Sequence, residues 1–385
     1  MIIATSSIPS DATQSPSMSP LDSGHVQVPS FPFHLLPLHL QEFILSLLPI
    51  SSLLRLLPIS RSFFSLLRSS TFLSLLHHDR HHRDDLFFFL FTDLLCPSPS
   101  FAAAFHPSSC RWLLLPLPSS FSDPHASSSS LAVVDHKLAA GTLTLAAARL
   151  LSRSPPLALP PMIPILHPYV LAVIDDGVDL FKVVAVSTGD RVYSQVYDSR
   201  RGRWEQTGQY DGRFAVLGSA KFLDGLLFVL SYGPDRLLSF NPGNGRWKLV
   251  DVEMPAKIVS SHLLVFEKEL FLVGGLEELG EIAMIGIWRL DLSEMEWRVV
   301  CFMPDEFFGK FGRYSGRFYH FEAIGEMGMI CLYNADDSQV LIFDLVERKW
   351  WWPPPCHLIP ENRRRRWFGH AVMPSINLLK PFDGG

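Results

Sequence analysis

Five times along this chain a bulky residue is followed, seven positions later, by a tryptophan: Phe105/Trp112, Tyr197/Trp204, Phe240/Trp247, Leu290/Trp297 and Phe343/Trp350. The pairs use five of the nine tryptophans, so the spacing reflects the fold and not the composition. The residue after the bulky one is His, Asp, Asn, Asp and Asp in turn, and a turn-like run leads to the Trp. Successive copies lie 92, 43, 50 and 53 residues apart, and the first step is about two of the others. A period of roughly 45–50 residues belongs to stacked supersecondary units.

Each copy reads as a β-hairpin. In Ser239-Phe240-Asn241-Pro242-Gly243-Asn244-Gly245-Arg246-Trp247 a turn-forming run separates two apolar stretches. A lone hairpin is marginal in water. Four strands per unit, arranged radially, bury each sheet against its neighbours and leave only short edges. The pattern resembles kelch repeats, in which a large residue and a Trp close each blade. The diglycine of those repeats stands clearly at Gly274-Gly275, with Asp224-Gly225 and Gly177 as eroded versions. Five copies plus the gap imply a six-bladed kelch-type β-propeller over residues 86–380, with signatures at 105–112, 197–204, 240–247, 290–297 and 343–350. A degenerate blade is expected at about 130–162, where Leu131–Val134 and Thr142–Leu145 read as strands but no Trp pair follows. The alternative is a long loop between five blades. Trp112, Trp204, Trp247, Trp297 and Trp350 are expected to be structural, each packing a flat ring between neighbouring blades.

Composition narrows the setting. Hydrophobic residues make up 48% of the 385 and aromatics 12%, enough for a well-buried core. A net charge of −5 with a pI near 6.3 argues against a general phosphate-backbone binder. Five scattered cysteines without a C-x-x-C, and five asparagines without a glycosylation sequon, suit a reducing compartment. The N-terminus lacks a secretory pattern, and the longest apolar run, Leu86 to Leu95, is about half a bilayer span. The expectation is a soluble protein of the cytosol or nucleus, with no membrane and no nucleic acid among its partners.

Residues 1–30 are rich in Ser, Pro and Thr and read as a disordered lead. Residues 31–76 then become Leu-rich with helical spacing, residues 77–85 form a His-rich linker, and β-type patterning follows. Leu36-Pro37 opens a first helix carrying Leu40, Phe43, Ile44 and Leu47 on one face, with Gln41 and Glu42 opposite. Pro49 ends it, and Ser51 or Ser52 caps a second helix holding Leu53 and Leu54. Pro58 suits the first turn of a third, with Ile59, Phe63, Leu66 and Leu67 as its apolar stripe. So small a unit carries more apolar surface than it can bury alone. The residues themselves leave two outcomes open, packing on the following domain or docking a separate partner.

The run Leu36-Pro37-Leu38-His39-Leu40-Gln41-Glu42-Phe43-Ile44 through Arg55 resembles the first half of an F-box, and Ile59-Ser60-Arg61-Ser62-Phe63 falls where that family has Val-Cys-Lys-x-Trp. The whole chain is similar to the plant F-box/kelch-repeat proteins. Ala104 to Trp112 followed by Leu115-Pro116-Leu117-Pro118 resembles their first blade, and Met303-Pro304 leading to Phe307-Phe308-Gly309 is a further shared feature. The resemblance implies a multidomain protein, an N-terminal three-helix α F-box followed by an all-β propeller. It implies a Skp1-type adaptor as partner and, through it, a cullin. Leu36, Pro37, Leu40, Ile44, Pro49, Leu53 and Ile59 would form or support that contact. The propeller would hold a target protein for ubiquitination while other subunits carry out the transfer, with no catalytic residue, cofactor or metal of its own.

No phosphate-cradling loop, nucleophile elbow or zinc-protease motif occurs. His77-His78 and His81-His82 have metal-compatible spacing but no joining ligand and read as a solvated linker. Arg363 to Arg366 reads as an exposed loop before the last strand, or as a nuclear-import or acidic-partner patch; Asp175-Asp176, Asp336-Asp337 and Glu277-Glu278 read as solvated turns. Of Trp350, Trp351 and Trp352, at least one must point away from the others. Two rival functions stand: an F-box scaffold that does not drive degradation, and a propeller enzyme with a Tyr, His and Cys constellation at its channel mouth.

Overall fold

The structure, a computed structural model, describes residues 32–48, 52–53, 56, 59–67, 69, 71–72, 75, 86–93, 96–115, 124–128, 131–139, 142–149, 157–162, 169–175, 180–311, 320–326, 328–334, 340–357 and 365–372. It divides into two compact units, Met1–Gln41 and Glu42–Gly385. The expected disordered lead, the His-rich linker and Gly177 lie outside the described residues.

Helix α1 spans Leu38–Ser46. The Pro37 carbonyl accepts the first N–H groups, from Leu40 at 2.9 Å and Gln41 at 3.1 Å. Proline fits just before the helix because no N–H is needed there. Helix α2 spans Arg61–Leu66, and Ser60 caps it by accepting the Phe63 N–H at 3.1 Å. This corrects the expected third helix: Ser60 fixes its start, so Ile59 precedes the helix instead of lying in its apolar stripe. The expected second helix falls largely outside the described residues.

From residue 86 onward the described chain is almost all strand. Strands β1 (Leu86–Asp93), β2 (Cys96–His106) and β3 (Arg111–Leu115) come first. Then follow β4 (Pro124–Ser128), β5 (Leu131–Ala139), β6 (Thr142–Arg149) and β7 (Leu157–Ala158). The third set is β8 (Tyr169–Asp175), β9 (Phe181–Thr188), β10 (Val192–Asp198) and β11 (Arg203–Tyr210). The fourth is β12 (Val216–Leu223), β13 (Leu226–Tyr232), β14 (Arg236–Asn241) and β15 (Arg246–Val250). The fifth is β16 (Ile258–Phe266), β17 (Glu269–Glu278), β18 (Glu281–Asp291) and β19 (Glu296–Phe302). Helix α3 (Asp305–Phe311) leads to β20 (Glu322–Glu326), β21 (Met329–Tyr333), β22 (Val340–Asp344) and β23 (Lys349–Trp351), and β24 (Arg365–Val372) comes last.

Among the described residues these strands make six four-stranded antiparallel sheets. Five use consecutive strands, and the sixth joins the two ends of the β region in the order β24-β1-β2-β3. Residues of the expected degenerate copy fall in the sheet β4–β7. The first strand of each consecutive sheet lies beside the first strand of the next, from β4 through β8, β12, β16 and β20 to β24, and β24 lies beside β4. The result is a propeller-like ring. Arg365 and Arg366 therefore sit in a strand, opposite Asp93 and Thr92, and not in the exposed loop expected for them.

The Trp spacing has a direct geometric cause. All five bulky residues are the cross-strand partners of their tryptophans. In the four aromatic pairs the ring centroids lie 4.6–5.5 Å apart. The polar residue after the bulky one closes the turn with its side chain. Asp198 accepts from the Arg200 N–H at 2.9 Å, Asn241 from Gly243 at 2.9 Å, Asp291 from Ser293 at 2.9 Å and Asp344 from Val346 at 2.8 Å. His106 does the same through Nδ1, from Ser109 at 3.2 Å. Two residues before each Trp the backbone is left-handed: Cys110, Gly202, Gly245, Met295 and Arg348 all have φ between 49° and 68°. Only two of the five are glycine, the residue that adopts this region without cost.

The diglycine reading needs correction at Asp224-Gly225. Gly274 and Gly275 lie within β17, and a Cβ on either would collide with Ile258 or Ile282. Asp224 and Gly225 instead form the β12–β13 turn with φ of 47° and 82°, the place taken by Glu267-Lys268 between β16 and β17.

Neighbouring sheets bury their facing side chains in continuous clusters. One joins β8–β11 to β12–β15 through Val184, Val186, Leu227 and Phe240; another joins β16–β19 to β20–β23 through Val273, Ile287, Phe321 and Leu341. Full burial of each such side chain is worth about 1.5–3 kcal/mol.

Candidate docking surfaces

Helix α1 buries an unexpected side. Glu42, Leu45 and Ser46 are buried, whereas Leu40, Phe43, Ile44 and Leu47 are 39%, 53%, 41% and 42% exposed. Buried Glu42 is not an orphan charge, because its Oε1 accepts from the Thr71 hydroxyl at 2.6 Å and the Ser69 hydroxyl at 2.9 Å. Those two bonds hold α1 by its polar side and turn its apolar stripe outward. Residues at i, i+3, i+4 and i+7 form one helical face, so the four exposed side chains are a single stripe.

The residues assigned to adaptor contact separate into groups. Pro37, Leu40, Ile44 and Ile59 are exposed, Ile59 at 64%, and Leu36 is half-buried. Leu53 is fully buried, so of the two roles, forming or supporting the contact, only support from behind the surface is open to it. Pro49 lies outside the described residues. Phe64, absent from the assignment, is 45% exposed on α2; it is the helical residue next to Phe63, and its place on the outer side was readable from the α2 periodicity.

The tryptophans serve the interior. Trp112, Trp204 and Trp350 are buried, and Trp247 and Trp297 are half-buried. Three of them reach across to neighbouring segments: Trp112 Nε1 donates to the Pro354 carbonyl at 2.7 Å, Trp204 to Pro160 at 2.9 Å and Trp247 to the Ser194 hydroxyl at 3.1 Å. Pro160 stands where the degenerate copy lacks its own Trp, and its carbonyl serves the next sheet's ring. Trp351 packs 5.9 Å from Phe105, while Trp352 stacks on Phe307 of α3 at 6.2 Å. Alternation along the strand thus splits the triple Trp between two neighbours, and the rings have aromatic partners. Glu277 and Glu278 are exposed at the end of β17. Asp176, Asp336 and Asp337 lie outside the described residues.

One polar cluster was not foreseen. At the start of β16, Ser260 Oγ lies 2.8 Å from His320 Nδ1, and His320 Nε2 lies 2.8 Å from Glu322 Oε1. A carboxylate only accepts, so His320 donates to it from Nε2, and in the neutral ring Nδ1 then accepts the Ser260 hydroxyl. Beside them His262 Nε2 is 3.0 Å from the Phe321 carbonyl, which makes it the donor, and His262 Nδ1 faces Glu322 at 3.8 Å. Desolvation holds His262 below the ordinary imidazole value, with Glu322 opposing. The cluster ties β16 to β20 through side chains 60 residues apart. Its signal in sequence was only a Ser-x-His and a His-x-Glu, too common to single out. Burial pushes the Cys301 thiol up to about 12 and also holds Cys331 well above its ordinary range, so both are protonated and poor nucleophiles at neutral pH. Among the described residues no group of three or more His, Cys, Asp and Glu could hold a metal, and no helix is long and apolar enough to cross a membrane.

Comparison with known proteins bears on these surfaces. An F-box/kelch-repeat protein of Arabidopsis thaliana is 30% identical over 363 residues, covering 89% of this chain and 87% of the relative. The chain belongs to the plant F-box/kelch-repeat family. F-box only protein 6 of Arabidopsis thaliana is 26% identical over 47% of this chain, and the Arabidopsis protein UNUSUAL FLORAL ORGANS is 24% identical over 66%. The chain spans only 40% and 60% of the length of those two. No family model matches. Among solved structures, TolB from Acinetobacter baumannii superposes with a TM-score of 0.49 at 9% identity, covering 81% of this chain and 72% of that one.

Proposed function

We propose that the protein is the target-recognition subunit of a Skp1–cullin–F-box ubiquitin ligase. In this reading residues 31–76 are a three-helix F-box, and a six-bladed kelch-type propeller over residues 86–380 presents its loops to a target protein. The chain holds the target and performs no chemistry itself, uses no cofactor, and works in the cytosol or nucleus. The observation that carries the reading is the outward stripe Leu40, Phe43, Ile44 and Leu47 above a buried, hydrogen-bonded Glu42.

The magnitudes support a partner of some size. Burying one such side chain fully is worth about 1.5–3 kcal/mol, and roughly half of that remains available at these exposures. Four residues then supply about 3–6 kcal/mol, near the lower end of the about 4–15 kcal/mol that association costs. A stable contact must therefore recruit more apolar surface, and Ile59 and Phe64 are exposed candidates. An amphipathic helix meeting a helical groove is the recognition mode that uses i, i+3, i+4 and i+7 anchors.

The test is a pull-down of a purified Skp1-type adaptor by the full-length protein and by its Pro37→Ala/Leu40→Asp variant. The variant should lose adaptor binding while its β-sheet circular dichroism stays unchanged. Loss of both together would contradict the reading, because the helices would then be part of the β core.

A further inference from the structure

The β17–β18 hairpin is longer than its counterparts. Its strands have 10 and 11 residues, against seven and six in β13–β14 and five and five in β21–β22. The neighbouring strands of its own sheet stop short of its tip. Strand β19 pairs with β18 only as far as Gly286 opposite Phe302, with one more bond from the Met303 N–H to the Ile285 carbonyl at 2.8 Å. On the other side β16 ends at Ile258 opposite Leu276, followed by a bond from the Glu277 N–H to the Lys257 carbonyl at 2.9 Å. The hairpin runs on through Leu276–Met284, Glu277–Ile282 and Glu278–Glu281, with a bulge between the first two pairs; among the described residues Glu281–Met284 has no strand on its outer side, and on the β17 side only Glu278 lies past the bond to Lys257.

The overhang carries apolar side chains without cover. Leu279 at the tip is 99% exposed and Met284 is 40% exposed, while Ile282 between them is buried. Leu279 and Gly280 make a two-residue turn with φ of 53° and 84°, a geometry for which Asn-Gly is the favoured pair. Nothing in the turn itself calls for leucine there. Glu277 and Glu278 stand exposed beside it. An apolar tip flanked by carboxylates complements a surface that offers an apolar pocket rimmed by cations.

We propose that this hairpin is a recognition arm, and that it docks a segment of the target protein bearing Leu, Met or Phe flanked by Lys or Arg. The proposal rests on the reading that the β region holds a target. Exposed apolar strand ends recruit extended peptides by hydrogen-bonding along the edge and seating alternate side chains. On the arm, Leu279 and Met284 supply the apolar contact, and Glu277 and Glu278 select the charge.

The probe is a random 12-residue peptide library panned on the full-length protein, with affinities of enriched peptides then measured on Leu279→Asn and on Glu277→Lys/Glu278→Lys. Enriched peptides should combine large apolar residues with flanking Lys or Arg. They should lose at least tenfold in affinity on both variants, and acidic counterparts should regain binding to the double-lysine variant. Asn suits the turn better than Leu, so Leu279→Asn should melt no lower than the wild type, which separates lost recognition from lost folding. Failure to enrich such peptides, or equal affinity for the variants, overturns the arm. Self-association of the wild type that Leu279→Asn abolishes also overturns it, by assigning the surface to a second copy of the chain. Adaptor pull-down by the same proteins reports separately on the ligase reading: retained adaptor binding with no arm effect sinks the arm alone.

Discussion

At the scale of single residues, the repeat is written in backbone strain as much as in aromatic pairing. The left-handed position two residues before each Trp is glycine in two turns but Cys110, Met295 and Arg348 in the others. A non-glycine residue there costs about 1 kcal/mol or more. Arg348 is exposed, so its replacement loses little packing. Arg348→Gly is expected to raise stability by about 0.5–1 kcal/mol, and Arg348→Val to lower it; thermal melting of the three proteins checks both signs. The Trp pairs were fully legible in sequence because a four-residue turn makes residues i and i+7 face each other across the hairpin. The αL position was not, because it is filled by four different residue types and leaves no compositional trace. The role of His106 was also hidden, since a ring nitrogen there replaces the carboxylate or amide oxygen of the other copies.

Among the elements, β16 and β20 are linked by the Ser260, His262, His320 and Glu322 cluster. Burial disfavours protonated His262, so its folded pKa lies below its unfolded value near 6.5. The unfolded chain then binds more protons in that window, and stability is complete above about pH 6.5 and falls as the pH drops below it. Lys221 and His320 act in the same direction on His262, and Glu322 opposes them. The melting temperature of the wild type should therefore decline more steeply below about pH 6.5 than that of His262→Gln. Superimposable pH profiles would show that His262 is not held neutral by the fold. Other elements were partly legible. Helix α1 was readable from its stripe, yet sequence pattern predicts which residues share a face and not which face is covered; the hydroxyls of Ser69 and Thr71 decide that, through a contact spanning nearly 30 residues. Helix α3 was missed, although Pro304 before acidic Asp305 and Glu306, with Lys310 in the last turn, is a usable helix-start and helix-end signal.

For the whole molecule, the ring and its closing sheet differ sharply in legibility. The Trp copies are legible by their spacing, but the pairing of β24 with β1 joins segments about 280 residues apart, and its cross-strand pair Phe91/Trp367 has no i, i+7 spacing to announce it. Arg365 and Arg366 of β24 end a four-arginine run that suggested an exposed loop, because charge was the only local signal. The exposed α1 stripe is the surface that the proposed function assigns to a Skp1-type adaptor. The most direct test is hydrogen–deuterium exchange of the full-length protein with and without a Skp1-type adaptor. Protection concentrated in Leu38–Ser46 and around Ile59–Leu66, with the β sheets unchanged, is the predicted result. Exchange in α1 that does not respond to saturating adaptor would contradict the assignment of that stripe, and with it the proposed place of this protein in a ubiquitin ligase.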